Sequence, residues 1–166
     1  RQLRLSKCNL TEFPKEICQL KNLTTLDLSE NNLTYFPKCI DKLNKLKNLF
    51  LSDNRISQLP DSICNLRNLM KLSLNNNEVT KLPEKFGELN SLMEVKISNN
   101  KLENIPDSFE KLKRLYLLHI ADNKLKEFPE ILHKIDLHIL LIYGNLFSEF
   151  PKKVGSAKLV ENGKYL

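Results

Sequence analysis

Histidine, aspartate and tyrosine side chains are the residues of this sequence best suited to acid–base chemistry. An acid–base group can be drawn around His119 from Asp122 and Tyr143, with His138 on the next sequence unit. No serine or cysteine is placed beside these histidines as a nucleophile, and the 4 glycines form no phosphate-binding loop. We therefore expect a non-catalytic protein that binds no cofactor.

Charge and hydropathy argue against two further classes of function. The 26 basic and 20 acidic residues give a net charge of +6, but the two signs are interleaved along the chain. This distribution does not point to a nucleic-acid partner. No apolar stretch approaches the roughly 20 residues that a bilayer-spanning helix needs, so we expect no membrane span.

All of the prolines lie at one interval, which reveals an internal repeat. Five successive spacings are 23 residues and the last is 22, at Pro14, Pro37, Pro60, Pro83, Pro106, Pro129 and Pro151. The same interval carries asparagines, with Cys8 at the first equivalent position, at Asn31, Asn54, Asn77, Asn100, Asn123 and Asn145. It also carries pairs of apolar residues at Leu3/Leu5, Leu26/Leu28, Leu49/Leu51, Leu72/Leu74, Val95/Ile97, Leu118/Ile120 and Leu140/Ile142.

One unit reads L-x-x-L-x-L-x-x-N-x-L-x-x-L-P-x-x-I-x-x-L-x-x, and residues 46–68 are a clean copy of it. The alternating leucines predict a short strand with one buried face. The asparagine can satisfy backbone groups where the chain turns, and the Ile-x-x-Leu spacing after proline predicts a short helical segment. Neighbouring units must stack to bury their apolar edges. Because strands stack more closely than helices, the sheet becomes concave and the helical side convex.

The repeat resembles the leucine-rich-repeat superfamily, in particular its 23-residue, Ras-suppressor-like subclass, and similar repeats occur in bacterial proteins. The resemblance implies an α/β horseshoe with a parallel sheet and a protein-binding role. We expect one domain, residues 1–166, of about seven repeats. They are a partial repeat at 1–22, then 23–45, 46–68, 69–91, 92–114, 115–136 and 137–159, with a degenerate end at 160–166.

The two ends of the array depart from the pattern. The first leucine of the first repeat would fall before Arg1, so we expect further repeats or a cap upstream in a parent protein. After Pro151 the pattern weakens, and Val160 is a candidate for the next first leucine, whereas Gly163 and Tyr165 fit a strand poorly.

The four cysteines are expected to be free thiols. Cys8 is expected to be buried as a small apolar group. Cys18 and Cys64 lie two repeats apart, too far for a disulfide, and a bridge from Cys18 to Cys39 is disfavoured because the two positions are offset. Free thiols indicate a reducing compartment, so we expect a cytoplasmic protein. A secreted bacterial protein or effector is the alternative.

The residues on either side of each strand leucine are expected to point out from the concave face. Because the fold does not depend on which residue type stands there, these positions are free to serve binding. Phe50 is an aromatic residue in a polar region, either a binding anchor or a lone exposed apolar residue. An apolar patch near the end of the sheet marks either a partner site or a surface covered by the closing segment or by a further domain. The candidate contact residues are Phe50, Lys71, Lys96, Tyr116, Leu117, His119, Ile139, Leu141 and Tyr143.

These residues favour a protein-interaction scaffold whose partner is another protein. One alternative is a targeting or regulatory part of a larger signalling or effector enzyme, such as a ligase, a kinase or a GTPase-linked protein. Another is self-association through the apolar patch or the N-terminal end. A polar row could attract a basic segment or a cation, although a hard cation needs more converging oxygens. The row comprises Glu30, Asp53, Asn76, Asn99 and Asp122.

Overall fold

Each sequence unit contributes one short strand to a single sheet. A computed structural model describes residues 1–149, 151, 153–161 and 164–165. The strands follow chain order, and all pairs are parallel except the last, which is antiparallel. They are β1 (Gln2–Arg4), β2 (Thr25–Asp27), β3 (Asn48–Phe50), β4 (Lys71–Ser73), β5 (Glu94–Lys96), β6 (Leu117–His119), β7 (Ile139–Leu141), β8 (Lys158–Glu161) and β9 (Lys164–Tyr165).

The strands form where the sequence alternates. The middle residue of each strand from β2 to β7 is fully buried, whereas its two neighbours mostly keep partial exposure on the opposite face. Leu26 pairs with Leu49 and Leu49 with Leu72, so the 23-residue interval of the sequence is the register of the sheet. The predicted leucine-rich-repeat solenoid with a parallel sheet is confirmed.

The side opposite the sheet consists of 3₁₀-helices of three to five residues, tighter than the α-helix. The carbonyl oxygen of the repeat proline accepts a hydrogen bond from the N–H three residues later, as from Ile63 to Pro60 at 3.0 Å. The helices are η1 (Lys15–Gln19), η2 (Lys38–Lys42), η3 (Asp61–Asn65), η4 (Phe86–Glu88), η5 (Asp107–Lys111) and η6 (Glu130–Lys134). No helix among the described residues is long and apolar enough to cross a membrane.

The core lies between the sheet and these helices. It is a continuous column of leucine and isoleucine side chains, and each repeat closes the apolar edge of the one before it. Two phenylalanine pairs add ring contacts on the helical side. Phe86 stacks on Phe109 with the ring centroids 5.1 Å apart, and Phe13 meets Phe36 edge to face at 5.1 Å.

A ladder of buried asparagines joins consecutive repeats, as the sequence predicts. The Asn54 amide donates to the carbonyl oxygen of Leu28 in the preceding repeat at 2.9 Å, and to that of Leu51 at 3.1 Å. Its side-chain oxygen accepts the N–H of Leu33 at 3.0 Å. Equivalent contacts recur at Asn77, Asn100 and Asn123. Since buried backbone groups need partners, the ladder explains why this position recurs.

The closing segment extends the sheet with a shortened repeat. Leu159 pairs with Leu140 and Val160 with Leu141, so Leu159 takes the strand-leucine position. The assignment of Val160 to a first leucine is therefore wrong. Tyr165 lies in β9, antiparallel to β8, which corrects the expectation that it fits a strand poorly. Gly163 lies outside the described residues.

Two cysteine predictions are wrong. Cys18 and Cys39 form a disulfide with their Cα atoms 5.9 Å apart, within the usual range. Cys8 is exposed rather than buried. Cys64 is a buried free thiol, and burial, with a smaller contribution from Asp61, raises its pKa to about 11.

The disulfide occupies a diagonal contact between neighbouring 3₁₀-helices. Cys18 and Cys39 are 21 residues apart, and the same separation joins Gly87 to Ser108 three interfaces further on. There the N–H of Gly87 donates to the Ser108 hydroxyl at 3.0 Å. The two-position offset that argued against the bridge is therefore the arrangement that brings residues of neighbouring 3₁₀-helices into contact.

Candidate functional site

The concave face consists of rows of side chains that strand pairing holds in register. The first row opens each strand and comprises Gln2, Thr25, Asn48, Lys71, Glu94, Leu117 and Ile139. The central row closes each strand and comprises Arg4, Asp27, Phe50, Ser73, Lys96, His119 and Leu141. Neighbours within a row are about 4.8 Å apart in the pairing direction. Eight of the nine predicted contact residues lie in or directly beside these strands, and Tyr143 lies two residues after β7.

Several polar side chains in and beside the first row are joined by hydrogen bonds. The Asn48 amide donates to the Thr25 hydroxyl at 3.1 Å. Further along, Lys71 and the Tyr116 hydroxyl both donate to Oε1 of Glu94, at 2.6 and 2.5 Å. Burial raises the pKa of Glu94, but these two hydrogen bonds outweigh it and hold the pKa of the carboxyl below its usual value. Lys71 and Tyr116 are therefore fixed by Glu94 and form a rigid polar cluster.

Phe50 lies apart from the other apolar candidates. It stands in the central row on β3 between Asp27 and Ser73, and its side chain is half-buried. Three strand spacings, roughly 14 Å, separate β3 from β6, where the apolar patch begins. The structure therefore does not join Phe50 to the patch.

The apolar patch is the set Leu117, His119, Ile139, Leu141 and Tyr143. Leu117 pairs with Ile139 and His119 with Leu141, and the rings of His119 and Tyr143 have centroids 6.3 Å apart. Each of the five side chains is half-buried. The backbone of β8 pairs with the edge of β7, so the described part of the closing segment continues the sheet instead of crossing the patch.

His119 and Lys96 form the boundary between the patch and the polar part of the sheet. They are paired residues on β6 and β5. Burial, and then the charge of Lys96, lower the pKa of His119, while Asp122 opposes the shift weakly. The imidazole is therefore neutral at pH 7. Its buried Nε2 has no hydrogen-bond partner among the described residues.

The groups of the acid–base hypothesis lie near His119, but no hydrogen bond joins them to its ring among the described residues. In the described part of the chain, His119 makes no side-chain hydrogen bond to a serine, a cysteine or a carboxylate. Asp122 is exposed and acts on the ring only through its charge. The ring lies on an open sheet face, and a nucleophile would need a base within hydrogen-bond reach.

The polar row that could have attracted a cation has a backbone explanation. Its members have left-handed backbones, with φ between 53° and 58° at Glu30, Asp53, Asn76, Asn99 and Asp122, and 67° at Gly144. Asparagine, aspartate and glycine tolerate this conformation best. No group of three or more His, Cys, Asp or Glu residues converges on a metal position within the described residues.

The most exposed large apolar residues lie outside the predicted site. Leu146 is 61% exposed, Leu20 46% and Tyr35 42%. Leu146 occupies a position that is charged in four preceding repeats, at Arg55, Glu78, Lys101 and Lys124, and this contrast was visible in the sequence. Leu20 is equivalent to the buried Leu43, Leu66, Leu89 and Leu112, so only its place in the first repeat exposes it.

The chain matches two repeat-family models. A model described as a leucine-rich repeat region matches residues 1–74, and one described as a leucine rich repeat matches residues 67–125. The comparison with curated proteins gave no significant match.

Solved structures give the same result over most of the chain. The ectodomain of the Arabidopsis thaliana receptor kinase GASSHO1/SCHENGEN3, solved with CASPARIAN STRIP INTEGRITY FACTOR 2, superposes with a TM-score of 0.81 at 26% identity. The match covers 89% of this chain and 18% of that chain. The plant peptide hormone receptor RGFR1, solved with RGF2, gives 0.68 at 31% identity, over 87% of this chain and 28% of that one.

A bacterial structure shares the fold alone. The internalin inlF from Listeria monocytogenes has a TM-score of 0.75 at 22% identity, with 87% of this chain and 40% of that chain covered. This chain therefore spans less than half of the length of each of these three structures.

Proposed function

Because the chain belongs to the leucine-rich-repeat superfamily, we propose that it is a non-catalytic module whose concave face binds a segment of another protein. Repeat solenoids typically present an extended concave surface for binding. The single observation that carries the proposal is the apolar patch of β6 and β7. Leu117, Ile139 and Leu141 occupy register positions that carry polar residues on β4 and β5.

The patch has the composition of an interaction surface. Burying its leucine and isoleucine side chains contributes roughly 25 cal/mol per Å² of apolar area removed from water. Tyr143 adds an aromatic ring with a polar end, a residue type enriched among binding hot spots. Each side chain is already half-buried by its neighbours, so little side-chain entropy is left to lose on binding.

The polar cluster beside the patch supports the same proposal. Lys71, Glu94 and Tyr116 hold one another by hydrogen bonds and present a fixed rim next to Leu117. Interfaces commonly combine an apolar centre with such a polar margin. Two of the similar structures, GASSHO1/SCHENGEN3 and RGFR1, were solved in complex with CASPARIAN STRIP INTEGRITY FACTOR 2 and RGF2, which supports binding by this type of fold.

Selection from a random-peptide display library tests the proposal. Peptides selected on the wild-type domain should be lost on the Leu117→Asp/Leu141→Asp double variant, because two charges then replace the apolar contact. Leu146→Asp is the matched control, since it makes the same change at an exposed position off the concave face. Circular dichroism and urea unfolding would verify that all three proteins are folded. Equal retention of peptides by the double variant and by Leu146→Asp would contradict the proposal.

Phe50 is tested separately because it does not belong to the patch. Phe50→Asp should weaken binding only if the partner segment extends from the patch towards β3. Peptides that depend on Leu141 but not on Phe50 would confine the binding surface to the last strands.

The same face would serve equally well in a targeting part of a larger signalling or effector enzyme. The observation in favour is that this chain corresponds to 18% of the matched chain of a receptor-kinase ectodomain. The reading frame of the full-length gene decides this. A frame that encodes only repeats would remove this option.

Self-association is a further candidate, through the same apolar patch, because Leu117, Ile139 and Leu141 lie together on β6 and β7. Light scattering at increasing concentration should show a dimer that Leu141→Asp abolishes. A wild-type protein that stays monomeric would exclude this candidate.

We also propose a compartment for the protein. The cysteines favour the secreted alternative over the cytoplasm. Structural disulfides persist in oxidising compartments, so the Cys18–Cys39 bridge favours a secreted protein. Alkylation of thiols in intact cells, followed by mass spectrometry of the purified protein, tests this. Alkylated Cys18 and Cys39 would return the proposal to the cytoplasm.

A further inference from the structure

Lys96 is an unpaired cation in the middle of the concave face. It closes β5 in the central row, and its side chain is half-buried. Its ammonium group makes no hydrogen bond or ion pair with any described residue, unlike the lysines of the surface salt bridges. A half-buried lysine without a hydrogen-bonded counter-ion favours a ligand that supplies one.

The obvious counter-ion for Lys96 is already engaged. Glu94 lies two residues earlier on the same strand and faces the same side. Its Oε1 accepts hydrogen bonds from Lys71 and from Tyr116, which holds the carboxylate towards β4 and towards the residue before β6. Lys96 acts on Glu94 through its charge alone, and its ammonium group has no hydrogen-bonded partner among the described residues.

The apolar patch begins directly beside this charge. Lys96 pairs with His119, and His119 pairs with Leu141, so the three form consecutive steps of the central row. Two strand spacings, about 10 Å, separate Lys96 from Leu141. In an extended ligand, side chains on one face recur about 6.7 Å apart, every second residue, or about 9 Å apart, every third residue in polyproline conformation. The flexible lysine stem covers the difference.

Resting on the proposed function, we infer that the partner is an extended protein segment in which an acidic side chain lies two or three residues from a large apolar one. The carboxylate pairs with the Lys96 ammonium group, and the apolar side chain packs on Leu117 and Leu141. The neutral ring of His119 lies between the two contacts and forms part of the apolar floor.

His119 reports on occupancy of this site. The charged or titratable groups around its ring are Lys96 from β5, Asp122 from its own repeat and Tyr143 from the next. A carboxylate bound at Lys96 offsets the positive charge that lowers the pKa of the imidazole. Both peptides bury the ring further, but only the acidic one supplies this charge, so the pKa of His119 should be higher with the acidic peptide bound than with its amide counterpart bound.

The experiment uses peptides selected from a random-peptide display library on the wild-type domain. The best peptide is synthesised with its acidic residue and with the matching amide, and affinities are measured by calorimetry. We expect the amide peptide and the Lys96→Glu variant each to weaken binding about tenfold. A peptide with lysine in place of the acid should regain affinity for Lys96→Glu. Lys124→Glu, the same charge reversal at an exposed position off the face, should leave affinity unchanged.

The outcomes separate this inference from the proposed function. Peptides that depend on Leu117 and Leu141 but carry no acidic residue, or that bind Lys96→Glu as tightly as wild type, would overturn the inference and leave the function standing. Peptides whose affinity does not depend on Leu117 and Leu141 would overturn both the inference and the proposed function. A failure to select any peptide would do the same. An NMR titration in which the acidic peptide and its amide counterpart give His119 the same pKa would also overturn the inference.

Discussion

A Cβ atom placed on Gly87 would stand 1.8 Å from the carbonyl oxygen of Ser108 in the next repeat. Glycine is required here by the close approach of two backbones. Gly87→Ala should therefore lower the free energy of unfolding by about 1–3 kcal/mol, measured by urea denaturation. Asn90→Ala, at an exposed position of the same repeat, should change it by less than about 0.5 kcal/mol. Equal stability of the two variants would disprove the close contact.

The Cys18–Cys39 disulfide should stabilise the first two repeats. Closing a loop of this length contributes about 3 kcal/mol by restricting the unfolded chain. We expect reductant, or the double substitution Cys18→Ala/Cys39→Ala, to lower the urea midpoint, and the double variant to be insensitive to reductant. Cys8→Ala is the control because Cys8 is an exposed free thiol. Four alkylatable thiols in the unfolded, unreduced protein would show that the bond is absent.

The left-handed backbone at Asp53 should determine which substitutions are tolerated there. With φ at 58°, Asp53→Gly should leave stability nearly unchanged, because glycine adopts this conformation freely. Asp53→Val should cost about 1–2 kcal/mol, since a side chain with a branched Cβ is strained there. Thermal unfolding of the two variants measures the difference. If they melt at the same temperature, backbone conformation does not explain the polar row.

The stability of the domain should depend on pH through His119. Its folded pKa lies below the usual value of 6.5, so the unfolded chain binds more protons as the pH falls below about 7. Unfolding becomes easier over that range until the pH has passed the folded pKa. Urea unfolding at about pH 7.5 and about pH 5.5 should show a larger loss for the wild type than for His119→Gln. An equal loss in both proteins would mean that His119 is not shielded from protonation.

The fold was predictable because the 23-residue interval spaces both the strands of the sheet and the helices on the opposite side. A leucine at every 23rd residue can be buried only if the strands pair in that register, as Leu26 and Leu49 do. The interval carries no information on the thickness of the helical side. The expectation that Cys18 and Cys39 stay apart rested on their two-position offset, but the 3₁₀-helices bring their Cα atoms to 5.9 Å.

The candidate site was predictable in position but not in its internal contacts. Strand alternation alone assigns Lys96, His119 and Leu141 to one face. Their pairing follows from the register. The engagement of Glu94 by Lys71 and Tyr116 depends on side-chain reach across strands, which no periodic pattern encodes. The closing strand was misassigned because the last step of the sheet, 19 residues from Ile139 to Lys158, is shorter than the period that carried the rest.

The asparagine ladder makes the array a chain of nearest-neighbour couplings. Asn54 holds the carbonyl oxygen of Leu28 and the N–H of Leu33, both in the repeat before it. Melting of one repeat therefore deprives the adjoining repeat of buried partners, at a cost of roughly 1–3 kcal/mol for each orphaned group. Such a system frays from its termini inward. The strands in the middle of the sheet should therefore be the last to unfold. Their amide hydrogens should be the last to exchange with solvent.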